Sequence, residues 1–275
     1  MDQQGGWSVR REWGELPRAV LDAVEARTGP VVGVRPAVEG NHADIASAVI
    51  GPRGRLFLKA ARRISAEVDG PEVRALRWEA AINPHVTEFA PRLLFRQDAG
   101  EWLALGYEYV DGRHADFAPG SPDLEILAVT IEALQARAAP DVLAAKQAGR
   151  RWETVMDDVA PLAGTALLHL DLNPANFLIG PGRVALVDWS FVARGAAWLE
   201  LALVVPWLLK AGHSPGEADG WLSRFPAWKA ADPRHLTGFA EAFAAKWRLN
   251  LENIAEPWAV RHADAARQWA EYRTR

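Results

Sequence analysis

The 275-residue sequence predicts an α+β protein of two lobes, in which a mostly antiparallel sheet with one helix precedes a mostly helical region. Three observations carry this expectation. The first hundred residues break into short β-branched or apolar runs separated by turn formers. From residue 122 onward, apolar residues recur mainly at helical spacing. Between them, the segment Glu108-Tyr109-Val110-Asp111-Gly112 marks the change of texture, so the expected division is 1–107, a hinge at 108–112, and 113–275.

Residues 16–27 have helical spacing and stop at Gly29-Pro30. Strands are expected over 31–38, 45–50 and 55–60, the last two as a hairpin about Gly51-Pro52-Arg53-Gly54. A helix over 67–82 requires Pro71 in its first turn, because proline lacks the N–H that a helix interior needs. Strands over 92–96 and 102–107 flank the turn at Asp98-Ala99-Gly100. Helices are then expected over 122–137, 150–162, 197–210, 215–225, 233–247 and 256–273, interrupted by short apolar segments and polar loops over 165–187.

Composition narrows the function. The net charge is −4, with both signs interspersed and no basic stripe, so nucleic acid is not an expected partner. There is no cysteine, which excludes disulfides and thiolate metal sites. The first sixteen residues are polar and lack a secretory pattern, and the apolar stretch over 199–209 is about half the length of a membrane span. A cytoplasmic protein without a membrane partner is expected. The Ala, Arg and Gly bias resembles that of a GC-rich bacterial genome. Thirteen tryptophans are read first as core.

The chemistry concentrates in one place. Leu167-Leu168-His169-Leu170-Asp171-Leu172-Asn173-Pro174-Ala175-Asn176-Phe177-Leu178-Ile179 is followed by Val184-Ala185-Leu186-Val187-Asp188-Trp189. Apolar runs anchor loops that hold a carboxylate, an amide and a second carboxylate. Phosphoryl transfer needs a group to orient the acceptor hydroxyl and hard oxygen ligands for Mg²⁺. Asp171 suits the first task, and Asn176 with Asp188 the second. A metallohydrolase would need further histidines close by, yet none follows His169 before His213.

His-x-Asp with Asn five residues after the Asp, then apolar-Asp-aromatic, resembles the paired signatures of the aminoglycoside phosphotransferase and choline kinase family. The resemblance covers about residues 31–210. It implies a two-lobed, protein-kinase-like fold and transfer of the γ-phosphoryl group of Mg-ATP, with GTP the other candidate donor, to a hydroxyl of a small molecule. Aminoglycosides or other antibiotics are one acceptor class; choline, amino alcohols or sugars are another. A nucleotide-binding pseudoenzyme is the rival reading.

The kinase plan also implies a strand lysine near the phosphates, Lys59, and a helix glutamate to position it, Glu79, with Glu67 and Glu72 as alternatives. Gly40-Asn41-His42-Ala43-Asp44 takes the place of the phosphate-covering loop. Glu108, Val110, Leu178 and Val187 are expected around the base, with His169 bracing the catalytic loop. Three positions depart from the family: Leu170 replaces a glycine, and Ala196 and Glu200 replace aspartates, which leaves open whether Glu200 braces the loop. Asp157, Asp158, Glu217 and Asp219 are the acidic candidates for a cationic acceptor, although exposed helix faces account for them as well.

Overall fold

The computed structural model describes residues 12–37 and 43–275; Gly40 and Asn41 of the expected phosphate loop lie outside the described residues. The chain forms two compact units. The first comprises Met1–Arg113 with Leu178–Phe191, and the second His114–Phe177 with Val192–Arg275.

In the first unit, α1 (Arg18–Thr28) leads into β1 (Gly33–Pro36), β2 (Ile45–Gly51) and β3 (Gly54–Arg62). Helix α2 (Pro71–Ile82) follows, then β4 (Leu93–Ala99) and β5 (Trp102–Glu108). The sheet order is β1-β2-β3-β5-β4, antiparallel at every pair. Pro71 occupies the first turn of α2, which is why the helix begins there and not at residue 67.

Alternation along β3 sends side chains to two faces. Leu56, Leu58 and Ala60 pack with Val20 and Val24 of α1, and Ala61 packs with Val73 and Leu76 of α2. Lys59 shares the parity of Ala61 and therefore faces α2. On β5, Leu105 lies directly across from Lys59, and Tyr107 is two residues along the same face.

After β6 (Arg113–His114), α3 (Asp123–Gln135), β7 (Ala166–Leu168), β8 (Phe177–Gly180), β9 (Arg183–Leu186) and β10 (Ala193–Gly195) follow. The chain ends with α4 (Ala197–Lys210), α5 (Pro215–Leu222), α6 (Pro226–Ala230), α7 (Pro233–Asn250) and α8 (Pro257–Arg273). In the second unit β7 pairs antiparallel with β10. Helix α4 is apolar nearly all round and buries ten of its side chains, the pattern of a central helix.

Two expectations change. Residues 150–162 are not a helix: only the 3-10 turns Ala148–Arg151 and Ala160–Leu162 form there. Local bonds offer the backbone an alternative, since Asp158 accepts from the Ala160 N–H at 2.8 Å, and Pro161 cannot donate within a helix. Residues 178–191, expected with everything after residue 112, group with the first unit. The Leu186 N–H donates to the Phe89 carbonyl at 2.7 Å and Arg183 donates to the Ala90 carbonyl at 2.8 Å.

The backbone at 111–112 lies hard against β8. A Cβ at Gly112 would stand 3.0 Å from the Ile179 nitrogen, and one at Gly180 would overlap the Asp111 carbonyl oxygen. Gly180→Ala is therefore expected to destabilise the protein by about 1–3 kcal/mol, read from denaturant midpoints at unchanged slope. An unchanged midpoint would show that this approach is not needed.

Candidate active site

Two clusters hold the residues singled out in the sequence, one in each unit. In the first, Lys59 on β3 meets Glu79 on α2, with Nζ 2.9 Å from both carboxylate oxygens. Asp188, two residues beyond β9, lies 3.4 Å from the same ammonium. The Tyr107 hydroxyl donates to Glu79 at 3.3 Å, and the Ser190 hydroxyl to Asp188 at 2.8 Å.

Burial alone would lower the Lys59 pKa, but Asp188 and Glu79 outweigh it and hold the ammonium charged. Burial, reinforced by Glu79, raises the Tyr107 hydroxyl well above its usual range. The alternatives Glu67 and Glu72 lie nearer the helix start, and Glu67 is exposed. Asp188 has φ +63°, a left-handed conformation that costs a non-glycine residue about 1–2 kcal/mol.

The residues proposed around the base also belong to the first unit. Val110, Leu178 and Val187 are partly buried. The Glu108 carboxylate is engaged by Arg92 at 3.0 Å and by Arg183. Its burial would raise the pKa, but the two arginines lower it. Asp44, the one acidic residue of the expected phosphate loop, is committed to the Arg62 backbone N–H at 2.7 Å.

In the second unit the His169–Asn176 loop follows β7. Asn176 Nδ2 donates to both the Asp171 carbonyl oxygen and Oδ2, each at 2.9 Å. A carbonyl can only accept, so the amide nitrogen must face it. Oδ1 is thereby left outside these bonds. Asn173 Oδ1 accepts the Asn176 N–H at 3.1 Å and caps the Pro174–Asn176 turn. The fully buried His169 accepts the Asp171 N–H on Nδ1 at 3.3 Å, which puts its proton on Nε2.

Glu200, on α4, holds this loop by its backbone. Its carboxylate accepts the N–H groups of His169 at 2.5 Å and Leu170 at 2.9 Å. Leu170 has φ +66° and is buried, a conformation more natural to glycine. Glutamate at this position thus grips the backbone through the strained residue. Burial pushes the Glu200 pKa up to about 7, opposed by the two N–H bonds and assisted by the nearby Asp171 charge.

Residues 117–236 match the model of the phosphotransferase enzyme family (APH). That segment, less than half of the chain, contains the His169–Asn176 loop and Glu200. The chain has no match among curated proteins by sequence, but solved structures share its fold. One is a thermostable mutant of aminoglycoside phosphotransferase APH(4)-Ia in ternary complex with AMP-PNP and hygromycin B. It is 16% identical with TM-score 0.58, over 92% of this chain and 99% of that one. Spectinomycin phosphotransferase APH(9)-Ia with ADP and spectinomycin is 10% identical with TM-score 0.58, over 93% and 94%. A microcompartment-associated aminopropanol kinase is 14% identical with TM-score 0.56, over 94% and 97%. Among the described residues, no helix is long and apolar enough to cross a membrane.

Sequence reasoning did not single out Tyr107, Ser190 or Asn173. Tyr107 was recoverable from strand parity once β3 and β5 are paired. Asn173 had a signal too, since Asn before Pro three residues ahead of the capped N–H is a turn-capping pattern.

The raised Glu200 pKa fixes the sign of a pH effect. Unfolded, the carboxyl loses its proton near its ordinary value of about 4.3; folded, it keeps it to about 7. The native state therefore holds more protons across that window, and stability falls as pH rises through it, levelling off above. Glu200→Gln removes this slope. Denaturant midpoints for both proteins between pH 4 and 8 should converge or cross as pH rises, and parallel curves would refute the shift.

Proposed function

We propose that this enzyme transfers the γ-phosphoryl group of a magnesium nucleotide, ATP in preference to GTP, to a hydroxyl of a small molecule. The observation that carries the reading is the Asp171–Asn176 pair, fixed on a loop whose backbone is gripped by Glu200. Phosphoryl transfer depends on positioning and electrostatics, so a rigidly held carboxylate suits it.

In this reading Asp171 orients the acceptor hydroxyl and accepts its proton as the new O–P bond forms and the bond to the nucleoside diphosphate breaks. Lys59 contacts the nucleotide phosphates, and Glu79 positions Lys59. Glu108, Val110, Leu178 and Val187 surround the base. His169 braces the loop through its bond to the Asp171 N–H.

The donor set fits a hard cation. Asn176 offers a neutral oxygen outside its other bonds and Asp188 a carboxylate, while neither brings sulfur or imidazole. A Mg²⁺ held by such groups would neutralise charge developing on the phosphates. Asp188 also lies 3.4 Å from the Lys59 ammonium.

Magnesium-dependent nucleotide consumption, measured against aminoglycosides, other hydroxylated antibiotics, amino alcohols, sugars and hydroxy acids, tests the reading. Asp171→Ala is expected to keep the thermal transition and lose at least about 100-fold in acceptor-stimulated turnover. Retention of most of the activity would remove Asp171 from the mechanism. Chelation of the metal should abolish turnover in the parent protein.

A further inference from the structure

The charges around Asp171 are the reverse of those a polycationic acceptor needs. Arg151, ending the turn Ala148–Arg151, and Lys210, in the last turn of α4, both interact electrostatically with the Asp171 carboxylate. Lys246 on α7 donates to the Arg151 carbonyl at 2.9 Å and lies 5.5 Å from the centre of the Trp152 ring. Lys210 Nζ lies 3.5 Å from His262 Nδ1 and 3.8 Å from the centre of the Trp207 ring.

Aromatic rings join these cations into one cluster, in which Trp152, Phe243 and His262 are buried and Trp207 and Trp247 are partly exposed. His262 on α8 packs against Trp207 and Trp247 at centroid distances of 4.7 and 4.4 Å. Phe243 lies between Trp152 and His262, 5.7 Å from each. Helices α4, α7 and α8 and the turn before Trp152 thus converge on a single basic and aromatic cluster.

Its balance of charge is one-sided. Arg151 and Lys210 are cationic near neutral pH, even though burial pulls Arg151 down to about 10 and Lys210 to about 8, and burial followed by Arg151 lowers Lys246 as well. His262 is neutral, since burial and then Lys210 depress it to about 3. Asp171 is an opposing charge for Arg151 and Lys210. Hydrogen bonding is equally one-sided: the Trp152 indole N–H is buried and has no acceptor among the described residues. Confining several cations with a surplus of donors is unfavourable unless an anion completes the set.

Three of the four acidic candidates have partners elsewhere, while Asp157 is exposed. Asp219 binds the Trp228 indole N–H and Arg273, each at 3.2 Å. Glu217 closes the capping box of α5 with Ser214, and Asp158 caps the turn at Ala160.

Resting on the phosphotransfer reading above, we infer that the hydroxyl acceptor of this enzyme is an anion, with a carboxylate or phosphate on an apolar or aromatic body, recognised by Arg151, Lys210 and Lys246 beside the tryptophans. The anionic group pairs with the cations, the body stacks on the rings, and the hydroxyl is left for Asp171.

Two readouts on the full chain test this. Phenyllactate, its neutral methyl ester and phenylalaninol share one aromatic body and differ in charge; glycerol 3-phosphate supplies the phosphate arm. Tryptophan fluorescence reports binding, and magnesium-nucleotide consumption reports transfer. One of the two anions is expected to quench saturably, and the acid or phosphate that does so to bind about 10- to 100-fold tighter than uncharged or cationic comparators. Lys210→Gln should erase most of that difference, and Lys210→Arg should restore part of it.

Tighter binding of phenylalaninol or an aminoglycoside than of either anion would overturn the inference while leaving phosphotransfer intact. So would the absence of quenching by both anions. Anion-selective binding with no turnover of any acceptor would uphold the charge selectivity and count against phosphotransfer. The ligand series on the parent protein decides the matter even if the Lys210 variants fold poorly.

Discussion

A buried ammonium is the constraint on which the first unit depends. Lys59 sits in the middle of a five-stranded sheet, on a face otherwise lined by Ala61, Leu103 and Leu105. An isolated charge there would be far too costly to keep. Glu79 and Asp188 answer it from two other elements, so the sheet, α2 and the segment after β9 are fixed by one charge. Tyr107 and Ser190 satisfy lone pairs that the ammonium does not reach. Such a network specifies geometry more than it adds stability, because most of its attraction is offset by desolvation.

The second unit solves a different problem by backbone means. Asp171 is one residue beyond a left-handed leucine, and a loop with that strain would relax if nothing opposed it. Glu200 opposes it with two N–H bonds from one carboxylate, and α4 is apolar enough to bury the glutamate completely. Asn173 and Asn176 then tie the rest of the loop to itself. The carboxylate proposed to meet the acceptor thus takes a hydrogen bond from Asn176 Nδ2 within the same loop.

Much of this could be read in the sequence because spacing along one strand or loop survives into three dimensions. The family resemblance pointed to Lys59 on a strand and Glu79 on the following helix, and the two lie 2.9 Å apart. It gathered Asp171 and Asn176 because five residues of loop keep them within reach. Contacts set by packing of distant elements were not readable. Whether a glutamate at position 200 braces the loop depends on where α4 runs. The basic cluster draws on residues 151, 210, 246 and 262, which share no periodicity. The expected helix over 150–162 failed because apolar spacing there is matched by an Asp-capped turn and a proline, which favour short turns over a continuous helix.

The discontinuity of the first unit bears on how the chain is made. Its sheet and α2 are complete by Arg113, yet the hairpin β8–β9 and Asp188 are synthesised some 65–80 residues later. Until they emerge from the ribosome, the nascent unit carries Lys59 with Glu79 but without its second counter-ion, and Phe89 and Ala90 with unmatched carbonyls. Domains of most proteins fold as successive units during synthesis. Here vectorial folding of the first unit cannot finish before much of the second exists, so maturation of the two is coupled by the order of the chain itself.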